Sequence, residues 1–114
     1  MVRREKLTVR HEVHGGKGDV YMYGVLMPEE MMGHGTLYSR VVLPPGSSIG
    51  YHTHTGNTEP YYILQGEGIF TGPDGAKTTV KAGDVCLIAC GESHGIENTG
   101  SDNLEMMALI LNEA

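Results

Sequence analysis

The chain has 114 residues, a formal net charge of −6 and two cysteines, which suits one domain that buries its own core without disulfide support. Arg3, Arg4 and Lys6 form its one basic cluster, and no basic face of the kind that binds nucleic acid is visible. The longest apolar run, residues 106–111, is far too short to span a bilayer, and residues 1–13 hold no apolar signal-peptide core, so a soluble cytoplasmic protein is expected.

In chain order, residues 1–18 read as an N-terminal arm. Its glycine-rich end, "HGGKGD" at 14–19, lacks the spacing and context of a phosphate loop and is expected to be a flexible connection. Strands are then predicted at 20–26, 36–43, 49–54, 61–64, 68–71, 77–80, 85–89, 94–98 and 104–111, separated by turn segments such as "PPGSS", "TGN", "GPDG", "KAGD", "CGES" and "NTGSDN". The single helical signal is "PEEMM" at 28–32, a proline and two glutamates that suit one first turn ended by Gly33. Many short strands with regular turns imply an all-β sandwich or barrel. Cys86 and Cys90, four apart on one predicted strand, would lie about 13 Å from each other, too far for a disulfide.

The stretch Gly46–Gly66, "GSSIGYHTHTGNTEPYYILQG", carries the chemistry. On a strand, His52 and His54 project from one face, about 6.6–7 Å apart at Cα, and can converge on one cation. Glu59 follows a loop that can reverse the chain, and Pro60 biases it toward extended geometry, so it can point back at the same spot. His94, after the turn "CGES", offers a fourth ligand from a distant strand. Three imidazoles and one carboxylate suit a divalent metal. An HxH pair alone is a weak signal. With the glutamate and the flanking glycines at fixed offsets, the chance frequency falls to on the order of one in a thousand. The alternative for these four side chains is a hydrogen-bonded polar cluster without an ion.

In these residues the chain resembles the cupin superfamily. The first cupin motif, G-x5-HxH-x3/4-E-x6-G, is matched from Gly46 through His52, His54 and Glu59 to Gly66; the second, G-x5-P-x-G-x2-H-x3-N, is matched at Gly83, Gly91, His94 and Asn98. Ala89 stands where the second motif has proline, which bears on turn rigidity and not on ligation. The resemblance implies a single cupin domain over 1–114: a double-stranded β-helix, a jelly-roll-like barrel. It also carries His52, His54, Glu59 and His94 over as metal ligands. The implied cofactor is a divalent ion (manganese, iron, nickel or zinc), with manganese or iron preferred.

The chain is similar to small bacterial single-domain cupins, some of them labelled as candidate oxalate decarboxylases. The implied function is binding or transformation of a small carboxylate at the metal. The alternatives are a non-catalytic binding or sensing cupin, and a metal-dependent dioxygenase or sugar isomerase. Whether there is catalysis, as a decarboxylase-like lyase or an oxidoreductase, is left open. Arg40 is a candidate for holding a substrate carboxylate, against the plainer alternative of a solvent-facing strand position. Glu67 and Glu92 are close in sequence to the motifs but are not convincing acid–base groups. Most tyrosines and methionines read as packing, and His34 as an exposed loop residue. The N-terminal arm is expected to pair with a second copy, giving a homodimer.

Overall fold

A computed structural model describes residues 1–114. It contains eleven strands: β1 Lys6–His11, β2 Asp19–Leu26, β3 Gly35–Leu43, β4 Ser48–Thr53, β5 Asn57–Thr58, β6 Tyr61–Gln65, β7 Glu67–Thr71, β8 Lys77–Lys81, β9 Val85–Cys86, β10 Ser93–Asn98 and β11 Leu104–Asn112. Helix is confined to three 3-10 turns, at Val13–Gly15, Pro28–Met31 and Pro73–Gly75. No helix is long and apolar enough to cross a membrane. The larger sheet runs β1-β2-β3-β11-β6-β9, with β5 paired to β11, and the smaller runs β4-β10-β7-β8. The two are not joined by a continuous hydrogen-bond ladder, so the barrel is a two-sheet body with its core between the layers.

Alternation builds that core. On β11, Leu104, Met106 and Ala108 are buried while Glu105 and Met107 face the other way. On β3, Val41 and Leu43 turn inward with Leu37, while Arg40 takes the outer face. They meet Ile63 and Tyr61 of β6 and, from the smaller sheet, Ile96, Phe70 and Val80. Fully burying each of the large aliphatic side chains contributes about 1.5–3 kcal/mol. Asn98, 2 % exposed, ties the end of β10 to this core. Its amide donates to Leu43 O and to Asp102 O, each at 2.8 Å, and its Oδ1 accepts Gly100 N–H at 2.9 Å. The asparagine of the second motif is therefore a structural clamp with every group engaged.

Nine of the predicted strands are present, most with ends shifted by a residue, and "PEEMM" forms its one turn, closed by Glu30 Oε1 accepting Met27 N–H at 2.8 Å. In the N-terminal arm, β1 pairs with β2 of the same chain through six registered residues, leaving its other edge open. Two expectations are corrected. The glycine-rich stretch after β1 is not a flexible connection. Lys17 O accepts Ser48 N–H at 2.9 Å, Ser48 Oγ accepts Lys17 N–H at 2.9 Å, and Gly16 N–H closes onto Val13 O. Backbones touch here: a Cβ on Gly50 would lie 2.0 Å from His14 O, and one on Gly16 would lie 2.2 Å from Ser48 O. Only glycine permits that approach. Finally, Cys86 and Cys90 do not share a strand. β9 ends at Cys86, where its pairing with β6 stops, and Ile88 O accepts the Thr58 hydroxyl instead. Cys86 is buried, Cys90 exposed, and both are free.

Candidate metal centre and its cavity

A β-bulge sets the site. Ile96 of β10 is opposite Ile49 of β4, and His94 is opposite His52. Two residues of β4, Gly50 and Tyr51, therefore face the single Gly95. The extra residue reverses the alternation of β4, so Ile49 enters the core and His52 and His54 still turn to the same interior. Gly95 suits the bulge, since a Cβ there would lie 3.0 Å from Ile49 O and 3.1 Å from Tyr51 N, tighter than an ordinary contact. Past the end of β4, His54 N–H donates to Glu92 O at 3.0 Å and Gly91 N–H donates to His54 O at 2.7 Å, which draws the turn before His94 against His54. Ala89, where the motif has proline, uses its spare N–H: it donates to Glu92 Oε1 at 2.7 Å. Glu92 thus closes the turn from outside. Glu59 arrives from the opposite sheet, between β5 and β6.

The four sequence-selected residues come together. One ligand-type atom from each of His52, His54, Glu59 and His94 falls within 4.8 Å of the others. His52 Nε2 and His54 Nε2 are 3.0 Å apart, and His54 Nε2 and His94 Nε2 are 3.1 Å apart. Glu59 Oε1 is 3.1 Å from His54 Nε2, 3.2 Å from His94 Nε2 and 3.9 Å from His52 Nε2. The outer ring nitrogens fix two tautomers. His52 Nδ1 is 2.7 Å from Gly50 O, which only accepts, and His54 Nδ1 is 2.6 Å from Asn57 Oδ1, so each Nδ1 carries the hydrogen. In neutral rings both Nε2 atoms then present lone pairs to each other and to the carboxylate. Such an arrangement repels itself unless a positive charge, a bound cation or a proton on one of the rings, sits among the donors, and imidazoles oriented through carbonyl oxygens are the usual second layer of a metal site. The donor set therefore fits a divalent cation.

Electrostatics agree. Burial pushes the Glu59 carboxyl up, but bonding to His52 and His94 overrides it and holds the group at about 2, fully ionised at neutral pH. Burial lowers His94, which Glu59 only partly offsets. Burial also lowers His52, but Glu59 and Gly50 O lift it above its ordinary value. Tyr61, 1 % exposed, stacks on the His94 ring with centroids 4.8 Å apart and donates its hydroxyl to Glu59 Oε1 at 3.2 Å. Burial, then Glu59, raises its phenol well above the usual range, so it remains a neutral donor. His94 Nδ1 is buried without a partner.

Beside the cluster lies a cavity of about 90 Å³ lined by His52, His54, Glu59 and Tyr61, with an apolar wall that includes Val20, Met22, Leu37, Val41, Met106 and Ile110. Arg40 is not among its lining residues. It lies over the Tyr23 ring, 4.2 Å from the centroid, bonded to Glu5 and, at 2.9 Å, to Glu105, so its charge is already matched elsewhere. Two lining residues escaped the sequence reading. His14 stacks flat on His52 with ring centroids 3.8 Å apart, held in a left-handed conformation with φ 52. Arg10 reaches the cavity from β1. The lysine–leucine–threonine–valine–arginine alternation of β1 was the one available signal for Arg10; nothing local marked His14. Asn57, which orients His54, was likewise read only as a turn residue.

Residues 39–110 match the family model described as Cupin domain. The chain is 47% identical to the "Oxalate-binding protein" of Thermotoga maritima over 113 residues, covering 97% of this chain and 93% of that protein. It is similar in structure to a Thermotoga maritima protein described as a predicted oxalate decarboxylase, with TM-score 0.93, 46% identity and coverage of 98% of this chain and 99% of that one. A Klebsiella pneumoniae protein with a double-stranded β-helix domain shares the fold at TM-score 0.69 and 22% identity, over 80% and 75% of the two chains. The family match over most of the two-sheet body and the near full-length relative, set beside the clustered histidines and glutamate, show that this chain belongs to the cupin family.

Proposed function

We propose that His52, His54, Glu59 and His94 bind one divalent cation and that the adjoining cavity binds a small carboxylate to it. The facing Nε2 lone pairs of His52 and His54, 3.0 Å apart with their tautomers fixed from behind, carry the metal reading. The ion would supply a Lewis-acid centre for carboxylate oxygens. The chain's own residues do the rest. Tyr61 donates to Glu59 and keeps that carboxylate aimed inward. The apolar wall excludes water, which strengthens attraction between ligand and site. A volume of about 90 Å³ is far below the roughly 300–1,000 Å³ of sites for drug-sized ligands, so the ligand has only a few non-hydrogen atoms. The relationship to an oxalate-binding protein supports a carboxylate. Imidazole with carboxylate suits manganese or iron.

Binding without turnover is favoured over decarboxylation, oxygenation or isomerisation by one observation. Apart from the ion-facing residues, the lining is mostly apolar and offers His14, stacked on His52, as its one further imidazole, so few groups are placed to move a proton. We also infer a homodimer in the cytoplasm. It is supported by the open edge of β1 and by exposed apolar residues such as Leu7, Tyr62, Val85 and Leu87; size-exclusion chromatography with light scattering checks it.

The test is elemental analysis of the purified protein, followed by reconstitution with Mn, Fe, Ni and Zn and calorimetric titration with oxalate. One metal per chain and a saturable oxalate signal are expected. Full metal content in a His52, His54, Glu59, His94 quadruple alanine variant would refute the site. Oxalate consumption or O₂ uptake by any reconstituted form would overturn the non-catalytic reading.

A further inference from the structure

We infer that Arg10 gives the cavity its preference for doubly charged small carboxylates over singly charged ones. This rests on the metal and carboxylate reading above. Three observations carry it. First, Arg10 is the one Lys or Arg lining the cavity that His52, His54 and Glu59 share. It also borders the groove alongside, with Lys6 and Thr8, and so stands at the rim between the two. Second, it is unpaired. Arg3 is matched by Glu30, and Arg40 by Glu5 and Glu105, while no carboxylate holds Arg10. Third, its placement is set by the fold: Arg10 is opposite Val20 in the β1–β2 register, and Val20 is fully buried against the same cavity, so both side chains belong to the inner face.

Charge makes the selection. A divalent cation with ionised Glu59 leaves one positive charge. A bound monocarboxylate neutralises it. A dianion overshoots by one negative charge, which is unfavourable beside an apolar wall. Arg10 cancels that excess, and its planar fork can hold a carboxylate by two parallel bonds. The chemistry selected is a short dicarboxylate: one oxygen of each carboxylate on the ion, the two outer oxygens toward Arg10.

The test is calorimetric titration of manganese-loaded protein with oxalate and with glycolate at pH 7. Both chelate through two oxygens in a five-membered ring, but oxalate carries two charges and glycolate one. In Arg10→Gln, oxalate affinity is expected to fall by about tenfold or more, while glycolate affinity and manganese content stay as in the wild type. Arg10 is exposed on an edge strand, so the variant should fold; its melting temperature verifies this. Lys81→Gln, on the far sheet, makes the same change in net charge and should leave both anions unaffected. Unchanged oxalate binding in Arg10→Gln, or an equal loss in Lys81→Gln, overturns the inference with the metal site intact. A wild-type protein that takes up no manganese, or takes it up and binds neither anion, overturns the reading beneath it and this inference with it.

Discussion

The β4–β10 pair, through β4, and β1 with its following turn border the same cavity by opposite means. His52 and His94 sit directly across a paired ladder, partly or fully buried, their rings braced by Gly50 and Tyr61, with Asn57 bracing His54 beside them. All six residues of β1 are exposed. That segment depends on one ladder to β2, on the mutual Lys17–Ser48 bonds and on the close approach of Gly16 to Gly50. Groups suited to a cation are held rigidly in the interior, as preorganised ligation requires. The group that faces an incoming anion stands on the edge of the fold, where local opening is easiest.

Breaking the rigid side should have the largest effect. His94→Ala removes a fully buried member of the proposed ligand set and should weaken metal binding by more than about 100-fold, beyond what supporting residues usually cause; competition with a chelating dye reads it. Asn57→Ala should retain the site but release the His54 ring, weakening the metal by about 10–100-fold. Equal affinity in Asn57→Ala and wild type would show that His54 needs no bracing.

The edge side is sharpened by Gly50→Ala. The new Cβ would meet His14 O at 2.0 Å, so the 13–16 turn must move, at a cost of about 1–3 kcal/mol of stability by urea denaturation. Hydrogen exchange should quicken at Ser48 and Lys17, and metal affinity should fall modestly, because the moved turn carries the His14 ring stacked on His52. The smallest effect concerns the start of the arm. Arg3 bonds Glu30 and holds that carboxyl at about 2, well below its ordinary 4.5. A depressed carboxyl favours the folded arrangement above about 4.5 and loses that contribution as pH falls from there through about 2. An NMR titration of Glu30 should therefore show a low midpoint that rises in Arg3→Ala, and high salt should shrink the difference.

The histidine cluster was legible because its spacing is short-range chemistry. His52 and His54 are two apart, and Glu59 and His94 stand at motif offsets from glycines that turn the chain, as Gly46 and Gly66 do with φ 82 and 86. Arg40 was left between two readings because a charge within an apolar strand reads the same whether it faces a ligand or, as here, Glu5 and Glu105. Those partners lie 35 and 65 residues away. His14 and Arg10 were hidden for the complementary reason: a run of glycines looks flexible when its close contact with β4 is out of sight.

By itself the sequence determined the all-β class, nine of the strands, and the four residues that gather between the sheets, because alternation and turn chemistry act over a few residues. Only the tertiary structure decided the bulge at Gly50 and Tyr51, which lets Ile49 and His52 share an interior. It also decided the antiparallel seat of β1, and so which arginine borders the cavity. Those depend on register between distant strands, and a shift of one residue there turns a side chain to the opposite face.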